Sequence, residues 1–123
     1  MPRKTLYILS GVAVLFFALG LLLMPETFWG LFGGKIGPLG AWVSRLMTTT
    51  MLANVFLFWN LRNEPAESRV AKLFSQSQVI AWGVMAFVVA FEIIDFGLNL
   101  MTWSNALLGA AFAILFAIDG FKK

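Results

Sequence analysis

The residues with the most chemical potential lie in the stretch FEIIDF, where Glu92 and Asp95 sit three apart inside the otherwise apolar run VIAWGVMAFVVAFEIIDFGLNLM. On a helix that spacing puts both carboxylates on one face. An acid in an apolar setting needs a cation, water or a proton of its own. The available cation is Arg45, in AWVSRLMTTTMLANVFLFWNL. A guanidinium can grip one carboxylate through two hydrogen bonds while the second acid stays near the headgroups. Two roles are open to such a cluster. It can fix the register of two helices, or it can act as a proton or ligand site in which Glu92 carries the proton and Asp95 relays it outward. Arg45 is too basic to serve as a base itself.

The elements that must position this cluster follow from cutting the chain at its charges. Of 123 residues, 60% are hydrophobic and 12% charged, and mean hydropathy is +0.86. A soluble domain of this size could not hide so much apolar surface. The reading is therefore all-α: a single integral membrane domain over 1–123, a four-transmembrane-helix bundle with spans at about 5–24, 41–61, 74–98 and 105–120, each near the roughly 20 residues a bilayer requires. Pro2-Arg3-Lys4 resembles the start of a secretory signal, but the apolar stretch after it is long and ALG is a poor cleavage site, so the first helix is read as retained. The fourth helix is expected to open at Ser104 or Asn105 after an NLMTW turn.

Orientation follows from the basic residues. Arg3, Lys4, Arg62, Arg69, Lys72, Lys122 and Lys123 fall on the side of the termini and the middle loop, against Lys35 alone on the other. Both termini are thus expected in the cytoplasm. The net charge of +3 reflects these clusters, not a nucleic-acid face. In this topology the second helix descends and the third ascends. Arg45 then lies about 9 Å above the bilayer centre, with Glu92 and Asp95 about 7 and 12 Å above it, at 1.5 Å per residue. The expected contact is Arg45 to Glu92, with Asp95 sharing it.

The helix faces extend the seam. Gln78, Ala81, Met85, Val88, Glu92, Asp95 and Asn99 recur at spacings of three and four, and Arg45, Thr48, Thr49 and Leu52 form a matching patch with Thr50 and Asn54 nearby. On the last helix Ala106, Gly109, Ala110, Ala113, Ala117 and Gly120 line a close-packing seam, within the bundle or toward another subunit. Asp119, near Lys122 and Lys123, is expected to be solvated at the inner interface. Between the first two spans, PETFWGLFGGKIGPLG reads as a short interfacial helix whose Phe28, Trp29 and Phe32 lie in the headgroup plane, or as a docking surface for a partner. Trp42, Trp59 and Trp103 fall at helix ends, as belt residues do.

The chain has no cysteine and no histidine. That excludes disulfides, thiol chemistry, Cys/His zinc sites, axial His ligation and Ser-His or Cys-His nucleophiles. No catalytic residue, metal site or phosphate loop is identified, and the case for an enzyme is weak. No cofactor is expected, although a bound lipid, quinone or carotenoid could pack among the 13 phenylalanines and six methionines without a polar ligand.

The progression GVAVLFFALGLLLMPETFWGLFG followed by LGAWVSRLMTTTMLANVFLFWNLRN resembles the DoxX-like superfamily of small four-helix membrane proteins. The resemblance covers the first half of the chain and extends to the second in hydropathy. It implies a compact four-helix bundle, sometimes an accessory part of a membrane redox system, and it transfers no catalytic residue. Thr48, Thr49 and Thr50 stand where such proteins often carry Gly and Ala, and FEIIDF matches none of their motifs. Taken together, the expectation is a non-catalytic accessory or structural subunit of the bacterial plasma membrane. Its partners would be lipids and either other membrane subunits or itself, without nucleic acid. The alternative is a small proton-coupled carrier or hydrophobic-ligand-binding bundle using Arg45, Glu92 and Asp95. A lipid-modifying enzyme comes third.

Overall fold

A computed structural model describes residues 2–31, 35–96 and 100–122, with backbone only for 92–96 and 100–102. Five helices are present among the described residues: α1 (Arg3–Leu23), α2 (Pro25–Leu31), α3 (Pro38–Leu61), α4 (Arg69–Phe96) and α5 (Leu100–Phe121).

Local chemistry accounts for most of the boundaries. Pro25 and Pro38 each open a helix, where the missing N–H would have no partner and the fixed φ suits the first turn. Gly37 precedes Pro38 in extended conformation. Ser68 caps α4, its Oγ accepting the Ala71 N–H at 3.3 Å. That cap starts α4 at Arg69, ahead of the span expected from 74. Likewise α5 begins at Leu100, so Ser104 and Asn105 lie inside it, about one turn past its start. Nothing in LMTW breaks a helix, and packing of α5 carries helical structure back through it.

The chain divides into two units, one of Tyr7–Arg62 and one of Met1–Leu6 with Asn63–Lys123. In the first, α1 and α3 run antiparallel. Tyr7 stacks edge-on against Phe58 with centroids 5.5 Å apart, and Gly11 lies where a Cβ would be 3.4 Å from the Phe58 Cβ. At the other end of the pair, Arg45 reaches Leu22. The short α2 folds back so that the Phe28 ring occupies the space a Gly20 side chain would need, within a cluster with Phe16 and Phe17.

In the second unit α4 and α5 form an antiparallel pair. Ala71, Ser75, Gln78 and Trp82 are buried on α4, and Ala106, Gly109, Phe112, Phe116 and Asp119 on α5. These three-four spacings are those of helices meeting at a shallow left-handed angle. Trp82 packs on Phe112 at 4.8 Å. Gly109 permits the approach, since a Cβ there would meet the Met85 Cε at 2.9 Å and the Trp82 carbonyl at 3.2 Å.

The polarity is inverted relative to a water-soluble protein. Arg3, Ser10, Ser44, Thr48, Ser75, Gln78 and Asp119 are buried, while Phe16, Trp42, Phe56, Ile80, Phe87 and Ile114 face outward. Such a surface is unstable in water and natural in lipid. Three helices, Arg3–Leu23, Arg69–Phe91 and Trp103–Phe121, are long and apolar enough to cross a membrane.

Candidate functional site

The densest buried polar chemistry among the described residues lies in the second unit, where the first turn of α1, the start of α4, the last turn of α5 and the connection before α4 come together. Arg3 Nε donates to Asp119 Oδ2 at 2.9 Å, with side-chain exposures of only 5% and 3%. Ser75 Oγ donates to the same oxygen at 2.6 Å. The rest of the guanidinium faces backbone. Nη1 donates to the Glu64 carbonyl at 3.4 Å and to that of Pro65, and Nη2 donates to the Ala66 carbonyl at 3.4 Å. Those carbonyls belong to a non-helical turn, in which the Pro65 carbonyl also accepts the Ser68 N–H at 3.0 Å.

The remaining carboxylate oxygen, Asp119 Oδ1, is buried and accepts no hydrogen bond among the described residues. Its counter-charge is the Lys122 ammonium at 3.5 Å. An acid in the last turn of a helix opposes the helix dipole, so the two cations offset both burial and dipole. Beside them Gln76 Nε2 donates to the Gly120 carbonyl at 2.9 Å, satisfying one of the orphan acceptors at the end of α5. A Cβ on Gly120 would stand 3.0 Å from the Gln76 backbone nitrogen, so the two helices approach here at their main chains.

This arrangement ties chain segments together. Arg3 has donors from all three guanidinium nitrogens engaged, and a guanidinium does not release its proton. No second acid among the described residues touches Asp119, and the chain has no histidine to accept a proton from it.

The positions singled out from the sequence are distributed differently. Arg45 is exposed, and its Nε donates to the Leu22 carbonyl at 3.2 Å, capping the end of α1 with a cation. Glu92 and Asp95 belong to the backbone of α4, but their side chains lie outside the described residues, as do Asn99 and Phe32 entirely. Thr48 is buried and Thr49 exposed. Their hydroxyls donate to their own helix, to the Arg45 carbonyl at 2.6 Å and the Leu46 carbonyl at 2.7 Å, and Asn54 does the same toward Thr50 at 3.1 Å. These groups are therefore satisfied locally.

On α4, Gln78 is buried and Met85 half-buried, but Ala81 and Val88 point outward, because the packed stripe is centred on Ser75, Gln78 and Trp82. On α5, Ala106 and Gly109 pack against α4 as expected. Ala110 is exposed and Ala113 and Ala117 are only half-buried, since Phe112 and Phe116 take the contact. Phe28 is turned inward at 6% exposure, and Trp29 Nε1 donates to Ser44 Oγ at 2.9 Å, so these two side chains hold α2 to its own unit.

No protein-family model, curated protein or solved structure matches this chain.

The Arg3–Asp119 pair was missed because each residue has an ordinary local explanation. Arg3 belongs to a basic start, and Asp119 has Lys122 three residues away. One signal was available: Asp119 lies on the same helical row as Phe112 and Phe116, apolar residues that a packed helix turns inward.

Proposed function

We propose that this chain is a non-catalytic integral membrane protein, an accessory or structural subunit of a larger membrane assembly or homo-oligomer. The observation that carries the reading is the use of the deepest charges within the chain itself. Arg3 and Asp119 bind each other, Ser75 and three loop carbonyls, so among the described residues these buried charges serve to hold chain segments together. The soluble connections are too short to build a separate active site. Ala110, exposed on α5 beside half-buried Ala113 and Ala117, offers the small-residue surface that lets another helix approach closely.

The proposed topology is a four-span bundle with both termini cytoplasmic, in a bacterial plasma membrane. Connectivity supports it. Arg3 at the start of α1 bonds both the end of α5 and the turn before α4, so the N-terminus, the middle connection and the C-terminal end share one side. If α1 leaves that side, α3 must return to it. The 24 residues of α3 suffice, and its Ser44, Thr48, Thr49, Asn54 and Asn60 side chains each donate to a carbonyl of the same helix, which lowers the cost of immersion. The seven-to-one distribution of basic residues supports the cytoplasmic side. The resemblance to DoxX-like proteins fits an accessory role.

The test is gentle extraction from the native membrane followed by native mass spectrometry with protein identification. Co-migration with larger subunits, or a defined homo-oligomer, is expected. A lone monomer overturns the reading.

A further inference from the structure

The flank of the α4–α5 pair beside the Arg3–Asp119 clasp combines a basic row with exposed apolar side chains, and of its cations only Lys122 also serves the clasp. Arg69, Lys72 and Gln76 follow one another at spacings of three and four, so they share a row on the first turns of α4. Gln76 marks where that row meets α5, because its amide bonds the Gly120 carbonyl at 2.9 Å. Two residues further on, Lys122 is held near the same place by Asp119 at 3.5 Å, yet its side chain keeps 42% of its exposure. Arg69 is exposed and Lys72 half-buried. Cations from both helices therefore border a single flank.

Directly alongside, Leu73 on α4 and Phe121 on α5 are exposed apolar side chains. The order along the helix axes is basic at the end of the span and apolar inward from it. A phospholipid presents the same order, phosphate then acyl chain. The acids of this end are Asp119, which Arg3 and Lys122 already face, Glu67, which is exposed, and Glu64, which is half-buried; against these three stand Arg3, Lys4, Arg69, Lys72 and Lys122, so the cations are in excess.

We propose that this flank binds the headgroup phosphate of an anionic phospholipid, with Arg69, Lys72 and Lys122 around the phosphate and Leu73 and Phe121 against the acyl chain. The inference rests on α4 and α5 lying in a bilayer and is independent of any larger assembly. Each basic residue near an anionic surface contributes on the order of fivefold in affinity.

The full-length protein in a neutral detergent is titrated with phosphatidylglycerol or phosphatidylcholine of identical chains, and bound lipid is counted by native mass spectrometry. Phosphatidylglycerol should be retained at least about fivefold better. Arg69→Gln with Lys72→Gln should remove the difference, and Arg69→Lys should keep it. Circular dichroism confirms that the variants remain helical. Equal retention of the two lipids, or a preference untouched by the double substitution, overturns the site. Displacement of the phosphatidylglycerol by millimolar inorganic phosphate also overturns it, since a free anion would then suffice. A chain that stays dispersed in buffer without detergent fails the membrane reading itself, a result distinguishable from loss of lipid preference.

Discussion

Arg3 and Asp119 are 116 residues apart in the chain and meet in a buried ion pair, Nε to Oδ2 at 2.9 Å, that joins the first turn of the first helix to the last turn of the last. Breaking one half leaves the other charge buried and uncompensated. Arg3→Met should therefore destabilise the folded protein by roughly 3–5 kcal/mol. Arg3→Met combined with Asp119→Leu should cost less than either single change, because no orphan charge remains. Thermal unfolding in detergent, followed by circular dichroism over the four-member cycle, measures the coupling; additive losses would remove the pair from the account of stability.

How far this architecture was legible in the sequence depends on what each signal reports. Charges and prolines mark where a helix can start or stop, which is why expected spans at 5–24 and 41–61 lie close to α1 and α3. Facing is harder, because a helix that is apolar all round carries little periodic signal. Small size suggested that Ala110 packs, but Phe112 and Phe116 offer more surface to Trp82 and take the interface. Asp119 had a local partner in Lys122, and nothing along the chain announces a contact with Arg3. Arg45 was expected to pair with Glu92 from its depth and its helix face; its Nε bonds the Leu22 carbonyl, and the Glu92 and Asp95 side chains lie outside the described residues.

Gly83 and Gly109 of the α4–α5 pair should respond in opposite directions to the same substitution. At Gly109 a Cβ would meet the Met85 Cε at 2.9 Å, the Ala86 Cβ at 3.1 Å and the Trp82 carbonyl at 3.2 Å, so Gly109→Ala should lose about 1–3 kcal/mol. At Gly83 a Cβ meets nothing within 4 Å. Gly83→Ala should be neutral or gain up to about 1 kcal/mol from reduced backbone freedom in the unfolded chain. Equal midpoints for the two variants in denaturant would contradict this packing.

A third glycine controls the seat of α2. The Phe28 ring lies where a Gly20 Cβ would be 2.3 Å from its Cδ2, closer than any adjustment of the ring edge can relieve in place. Gly20→Val should displace Phe28 and loosen α2, seen as faster proteolysis within 25–31 and a loss of stability of about 1–3 kcal/mol. Phe28→Ala in the Gly20→Val background should then cost little more, because the ring has already left. A full additional loss from Phe28→Ala would mean that Phe28 packs elsewhere.

The proposed four-span topology would put Glu67 and Glu26 on opposite sides of the membrane, and both are exposed. The absence of native cysteine makes each position addressable alone. Glu67→Cys lies in the turn held by Arg3, on the side carrying the basic residues, and should react with a membrane-impermeant maleimide only after cells are opened. Glu26→Cys, in the first turn of α2, should react in spheroplasts that remain sealed. Labelling of both from the same side would mean that α1 does not cross, or that it crosses without Glu26 emerging. Nothing would then require α3 to return to the side that α1 left, and the fourth span would fall with it.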